Sequence, residues 1–188
     1  MNFVLKLLIT YTEIYTSAGH QFINCGNLFA CLILLSFTHH NIICRPGQYD
    51  TMKVQIFKEV HFDASHRLLH YKGKCANLHG HRWKVEVWVE GEPDNTTSIL
   101  LDYNKIKEII GKLDHQIILN IDDPMATCIK KFQHIIVTPG DPTSELLAVV
   151  IRDDLEKYCR SQRISAKIIR IRVWESPSCF AELTDENR

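Results

Sequence analysis

From His79 to Gly91 the side chains alternate: His79, His81, Trp83, Val85, Val87 and Val89 fall on one side, and Arg82, Lys84, Glu86, Trp88 and Glu90 on the other. A period of two marks a strand with one buried face, and Gly91-Glu92-Pro93-Asp94 ends it with turn chemistry. Two imidazoles therefore head the inward face of a long strand. A second alternating run, Val54 to His66, places Val54, Ile56, Val60, Phe62 and Ala64 on one face, and His66 ends that face. Only Lys58 and Phe57 break its pattern.

Three imidazoles at strand ends can hold a zinc ion and leave its fourth position open, the catalytic rather than the structural arrangement. The candidate ligands are His66, His79 and His81. Imidazole suits zinc without excluding iron, nickel or copper. Cys75 lies four residues before His79, in the polar stretch that follows Tyr71-Lys72-Gly73-Lys74. A lone cysteine is usually a small buried hydrophobe. Nearby lysines and a metal instead lower a thiol pKa from its free value of ~8.5, and a thiolate there can take a proton. Asp114-His115 reads either as a polar pair at a helix C-terminus or as a carboxylate orienting a proton-relaying imidazole.

After Ser165 alternation returns. Ile169, Ile171, Val173 and Glu175 share a face opposite Arg170, Arg172 and Trp174. A carboxylate ending an apolar stripe needs a partner, either an ion pair or a ligand with two adjacent N–H donors. Asp102 can cap a helix carrying Ile106, Ile109, Ile110 and Leu113. Asp141-Pro142-Thr143-Ser144-Glu145 starts another, with proline at or near its first turn, running to about Cys159. Thr143 and Ser144 can cap that helix or offer hydroxyls to a ligand. Phe180 to Leu183 suggests a short last strand. The order is strand, strand, helix, helix, strand, strand: an α+β domain with helices on one face of a four-stranded antiparallel sheet, ββααββ. Within Ile121–Gly140, Ile135-Ile136-Val137 reads as a small strand or an insertion with an apolar anchor.

Lysine plus arginine and aspartate plus glutamate number 22 each, which argues against a nucleic-acid binder working through a broad basic field. Seven cysteines without a CxxC pair fit a reduced, cytoplasmic compartment. Residues 1–51 read as an over-extended translation or a poorly ordered extension, with Met52 as the expected true start and 52–188 as the catalytic domain. The apolar run Leu28–Phe37 is too short to span a bilayer, which needs ~20 residues, so no membrane partner is expected.

Ala64-Ser65-His66-Arg67-Leu68, Cys75-x3-His79-Gly80-His81, Leu113-Asp114-His115, Leu119-Asn120, Pro142-Thr143-Ser144-Glu145 and Trp174-Glu175-Ser176 occur in this order. As a set they resemble the 6-pyruvoyltetrahydropterin synthase family from about Met52 to Ala181. The short spacing between Cys75 and His79 is similar to the 6-carboxytetrahydropterin synthase branch, which serves queuosine and 7-deazapurine synthesis. The resemblance implies a tunnelling fold, one zinc per chain on His66, His79 and His81, and 7,8-dihydroneopterin triphosphate as substrate. It implies that Cys75, Asp114 and His115 move protons, and that Glu175, Thr143 and Ser144 hold the pterin. It also implies a homohexamer, a dimer of trimers with active sites between subunits. The alternatives are 6-pyruvoyltetrahydropterin formation and a non-catalytic zinc- or pterin-binding protein.

Overall fold

The computed structural model describes residues 52–185. The expected extension 1–51 and its apolar run Leu28–Phe37 lie outside the described residues. Strand β1 (Val54–His66) pairs antiparallel with β2 (His79–Gly91) over its whole length. Helix α1 (Tyr103–Gly111) follows, then β3 (Gln116–Asn120), the short α2 (Pro124–Ile129) and β4 (Ile135–Thr138). Helix α3 (Ser144–Gln162) leads to the hairpin β5 (Ala166–Ser176) and β6 (Cys179–Thr184).

The sheet has six strands in the order β4-β3-β1-β2-β5-β6, where periodicity alone predicts four. Four of them, β1-β2-β5-β6, are antiparallel neighbours; β3 and β4 add parallel to the end of β1, so the sheet is mixed. The two extra strands are short apolar runs, Ile117-Ile118-Leu119 and Ile135-Ile136-Val137. Such runs carry no period that separates a buried strand from other buried chain. The connection between β2 and β5 is therefore helix, strand, helix, strand, helix rather than two helices.

The alternation of β1 and β2 fixes which face is covered. Val60, Phe62, Ala64, Trp83, Val85, Val87 and Val89 are buried under α1 and α3. Helix α1 contributes Ile106, Ile109 and Ile110, and α3 contributes Leu147, Ala148, Ile151 and Leu155. Each large aliphatic or aromatic side chain among them, fully buried, contributes roughly 1.5–3 kcal/mol. A smaller cluster of Leu119, Ala126 and Ile135 fixes α2 against β3 and β4. Asp102 caps α1 as expected, accepting from the Asn104 N–H at 2.8 Å. Pro142 lies before, not in, the first turn of α3, because Thr143 is the N-cap. Among the described residues no helix is long and apolar enough to cross a membrane.

Candidate metal centre and active site

Strand register assembles the histidines. His66 faces His79 directly across β1 and β2, and Ala64 faces His81. His79 and His81 are two residues apart and share the inward face. The ring centroids lie 4.6 Å (His66–His79), 5.2 Å (His66–His81) and 4.9 Å (His79–His81) apart. Trp83 follows on the same face, fully buried, with its indole N–H donated to the Ala64 carbonyl at 3.3 Å. Its ring lies 4.9 Å from that of His66 and walls the cluster off from the core. Strand β5 brings Glu175 to the same place: its Oε1 is 3.4 Å from His66 Nε2 and 3.2 Å from His81 Nε2. One ligand atom from each of these four residues lies within 4.8 Å of the others.

The protons on these rings are fixed by what they touch. His66 Nδ1 lies 2.7 Å from the Pro142 carbonyl, and His79 Nδ1 lies 2.8 Å from the Asn77 carbonyl. A carbonyl only accepts, so each Nδ1 carries the proton and each Nε2 turns a lone pair to the cluster. Nε2 of His66 and of His81 are buried and lack an aligned hydrogen bond, although Glu175 is close. Burial is the main reason both imidazoles titrate below their ordinary value of 6.5; the neighbouring His79 adds to it, and Glu175 only partly opposes it. Imidazole nitrogens converging with one another and with a carboxylate form a donor set that suits a divalent cation.

This sets a pH dependence. Below about pH 6.5 the unfolded chain binds protons at these histidines before the folded chain does, so stability falls as pH falls and is complete above that value. Melting the metal-free protein between about pH 8 and pH 5 is expected to show a midpoint that drops only on the acid side of 6.5. A midpoint unchanged across that range would contradict it. Bound metal competes with the same protons and shifts the dependence in the same direction.

Cys75 lies on a single 3-10 turn, Lys74–Ala76, just before β2. It is half-buried with a free thiol, and its carbonyl accepts from the Leu68 N–H at 2.9 Å. Asp114 and His115 stand together, Oδ2 to Nδ1 at 2.9 Å, on the surface between α1 and β3. Asp114 Oδ1 accepts the Asp63 backbone N–H at 2.8 Å, the main cause holding its carboxyl below the usual range. His115 is well exposed and has a left-handed backbone, φ 57. Among the described residues no hydrogen bond or ion pair joins Cys75 to Asp114 or His115. Thr143 caps α3 through its hydroxyl, which accepts from the Leu146 N–H at 3.3 Å, and Ser144 follows at the first turn. Both directly follow Pro142, whose carbonyl orients His66.

A pocket of about 630 Å³ opens beside the cluster, lined by Gly80, His81, Lys84, Trp174 and Glu175 among others. Another, of about 580 Å³ around Asp94, Tyr158 and Arg163, contains none of the candidate residues. The sequence did not reveal the orienting carbonyls of Asn77 and Pro142, nor that Glu175 stands against the imidazoles. Its signal for Glu175 was only the carboxylate at the end of an apolar stripe.

A sequence model of the family described as 6-pyruvoyl tetrahydropterin synthase matches residues 55–186. A Pyrococcus horikoshii protein, provisionally named 6-carboxy-5,6,7,8-tetrahydropterin synthase, is 33% identical over 149 residues, 71% of this chain and 91% of that one. A Rickettsia conorii protein named 6-carboxy-5,6,7,8-tetrahydropterin synthase is 28% identical over 139 residues, 69% of this chain and 99% of its own. An uncharacterized protein from Wolinella succinogenes has the same fold, with TM-score 0.58 and 22% identity over 72% of this chain and 100% of that one. So does a Plasmodium vivax 6-pyruvoyltetrahydropterin synthase carrying a catalytic-residue substitution, with TM-score 0.54 and 20% identity over 70% of this chain and 97% of that one.

Proposed function

Since the chain belongs to the 6-pyruvoyl tetrahydropterin synthase family, we propose that it is a zinc-dependent lyase. In this reading it converts 7,8-dihydroneopterin triphosphate to 6-carboxy-5,6,7,8-tetrahydropterin, triphosphate and acetaldehyde. The observation that carries the reading is the set of three imidazoles on paired strands, two of them oriented by backbone carbonyls. His66, His79 and His81 would hold one zinc per chain. Zinc, when bound, supplies a Lewis acid for the oxygens of the substrate side chain.

The remaining steps belong to the chain's own side chains. Cys75 Sγ takes and returns protons between the pterin ring and the side chain, and the Asp114–His115 pair relays them. Glu175 accepts two N–H bonds from the amino-pyrimidine edge, and Thr143 and Ser144 add hydroxyls at the start of α3. Residues 52–188 form the catalytic domain.

The exposure of Asp114 and His115, with no hydrogen bond or ion pair to Cys75 among the described residues, supports an active site completed between subunits. The sheet offers edges for this: among the described residues, β1 before Ala64 has no strand on the side away from β2, and β6 is a terminal strand. Such edges invite pairing with another chain, in keeping with a homohexamer built from two trimers. The free thiols of Cys75, Cys128, Cys159 and Cys179 fit a reducing cytoplasm; in this reading the product serves queuosine synthesis.

Mass spectrometry of 7,8-dihydroneopterin triphosphate incubated with zinc-loaded protein tests the reading. The expected outcome is a 6-carboxy product with stoichiometric acetaldehyde. A product that keeps the three-carbon side chain would replace this reading with 6-pyruvoyltetrahydropterin formation. Tight binding without turnover would make the protein a pterin-binding module.

A further inference from the structure

We infer that Asn120 and Asp141 are positioning residues that aim His66 at the metal; the inference rests on the metal reading above. The Pro142 carbonyl that holds His66 Nδ1 is 76 residues away in sequence, so its placement depends on what fixes its loop. Within the loop, the Thr143 N–H donates to the Asp141 carbonyl at 2.7 Å, closing a three-residue turn around Pro142. The pyrrolidine ring fixes φ at that position and the turn limits ψ, so the direction of the Pro142 carbonyl follows the position of Asp141.

Asp141 is held from two sides. Its Oδ1 accepts from Asn120 Nδ2 at 2.7 Å, and its Oδ2 accepts from the His70 backbone N–H at 2.8 Å. Burial opposes ionisation of Asp141, but these bonds prevail and hold its carboxyl below the usual range. Asn120 ends β3 with 3% of its surface exposed, and its Oδ1 accepts from the Asp122 N–H at 3.0 Å. Both ends of this buried amide are thus used, and it cannot turn without leaving a group unpaired. The Thr138 hydroxyl adds a further tie, donating to the Gly140 carbonyl at 2.8 Å.

The other flank of His66 is fastened to the same corner. Arg67, the next residue, pairs with the fully buried carboxylate of Asp123 at 2.9 Å. The corner after β3 therefore meets His66 twice, through Arg67 along the chain and through Asn120, Asp141 and Pro142 at the ring. The Leu119-Asn120 motif thereby carries the rigidity of the sheet to a ligand on β1, far earlier in the chain.

The test uses the full chain with Asn120→Ala, Asp141→Ala and Asp141→Asn, and with Asp102→Ala as a control for general loosening. Zinc affinity is read by chelator competition, the ligand field by the visible spectrum of the cobalt-loaded protein, and the fold by circular dichroism. Both alanine variants are expected to bind zinc about 10–100-fold more weakly and to shift the cobalt bands. Asp141→Asn keeps an acceptor for Asn120 but turns its NH2 toward the His70 N–H, a donor, and is expected to recover part of the affinity, between the alanine variants and the parent. Asp102→Ala lowers the melting temperature and leaves affinity and spectrum unchanged. If Asn120→Ala does not fold, Asp141→Ala, whose side chain reaches the surface, carries the test. Folded alanine variants with wild-type affinity and spectrum overturn the positioning role and leave the metal centre intact. Zinc binding that survives His81→Ala overturns the metal centre and this inference together.

Discussion

Cys75→Ala is expected to lower turnover by about 10²–10⁴-fold, the range that a positioned general acid–base group contributes, with zinc content unchanged. The two halves of this expectation come from different observations. Cys75 stands on its own turn before β2, outside the group of four residues whose ligand atoms converge. Removing its sulfur should therefore leave the donor set whole. Its half-buried position also means that truncation opens no core cavity, so a folding defect is not the route to inactivity. Steady-state kinetics beside elemental analysis checks it. Normal kcat would discard the thiol as proton carrier, and loss of zinc with the thiol would make Cys75 a ligand.

His81→Ala should abolish stoichiometric metal binding and turnover while the metal-free chain keeps its stability or gains some. Losing a direct ligand is expected to weaken zinc by more than the ~10–100-fold attached to an outer partner. His81 is the cleanest of the three to remove, because its Nε2 is buried without an aligned partner and an unpaired buried group costs about 1–3 kcal/mol. His66→Ala would strand the Pro142 carbonyl and mix folding with binding. Metal analysis after dialysis, paired with melting of the chelator-treated protein, checks this. A metal-free variant that melts well below the metal-free parent would mean that the ring serves the fold rather than an ion.

The parts of the fold that were legible are those with a period or a cap. The alternation of His79–Gly91 fixed the face that carries two imidazoles, and Asp102 announced α1. Strand β3 was not legible, because Ile117-Ile118-Leu119 pairs parallel to β1 between two strands and shows no contrast between faces. Helix α2 has six residues, too few for a helical pattern to repeat. The three histidines could be named from sequence because strand periodicity projects His79 and His81 together. Their orientation could not, since it depends on backbone carbonyls, and a carbonyl has no letter in the sequence. The Asp114–His115 pair is also readable from sequence, but the absence of any hydrogen bond or ion pair from it to Cys75 among the described residues is not, because no periodicity relates a turn before β2 to the corner before β3.

The left-handed backbone at His115 sets two demands against each other at one position. An L-residue in that conformation gives up about 1–2 kcal/mol, more than the ~0.4–1 kcal/mol by which a glycine would loosen the unfolded chain. A sequence tuned only to survive heating would therefore place glycine between Asp114 and Gln116 and lose the ring to which the proposed function gives the proton relay. If the relay runs through that ring, thermal endurance and catalytic output pull in opposite directions there, and a search for hardier variants of this protein would drift toward inert ones.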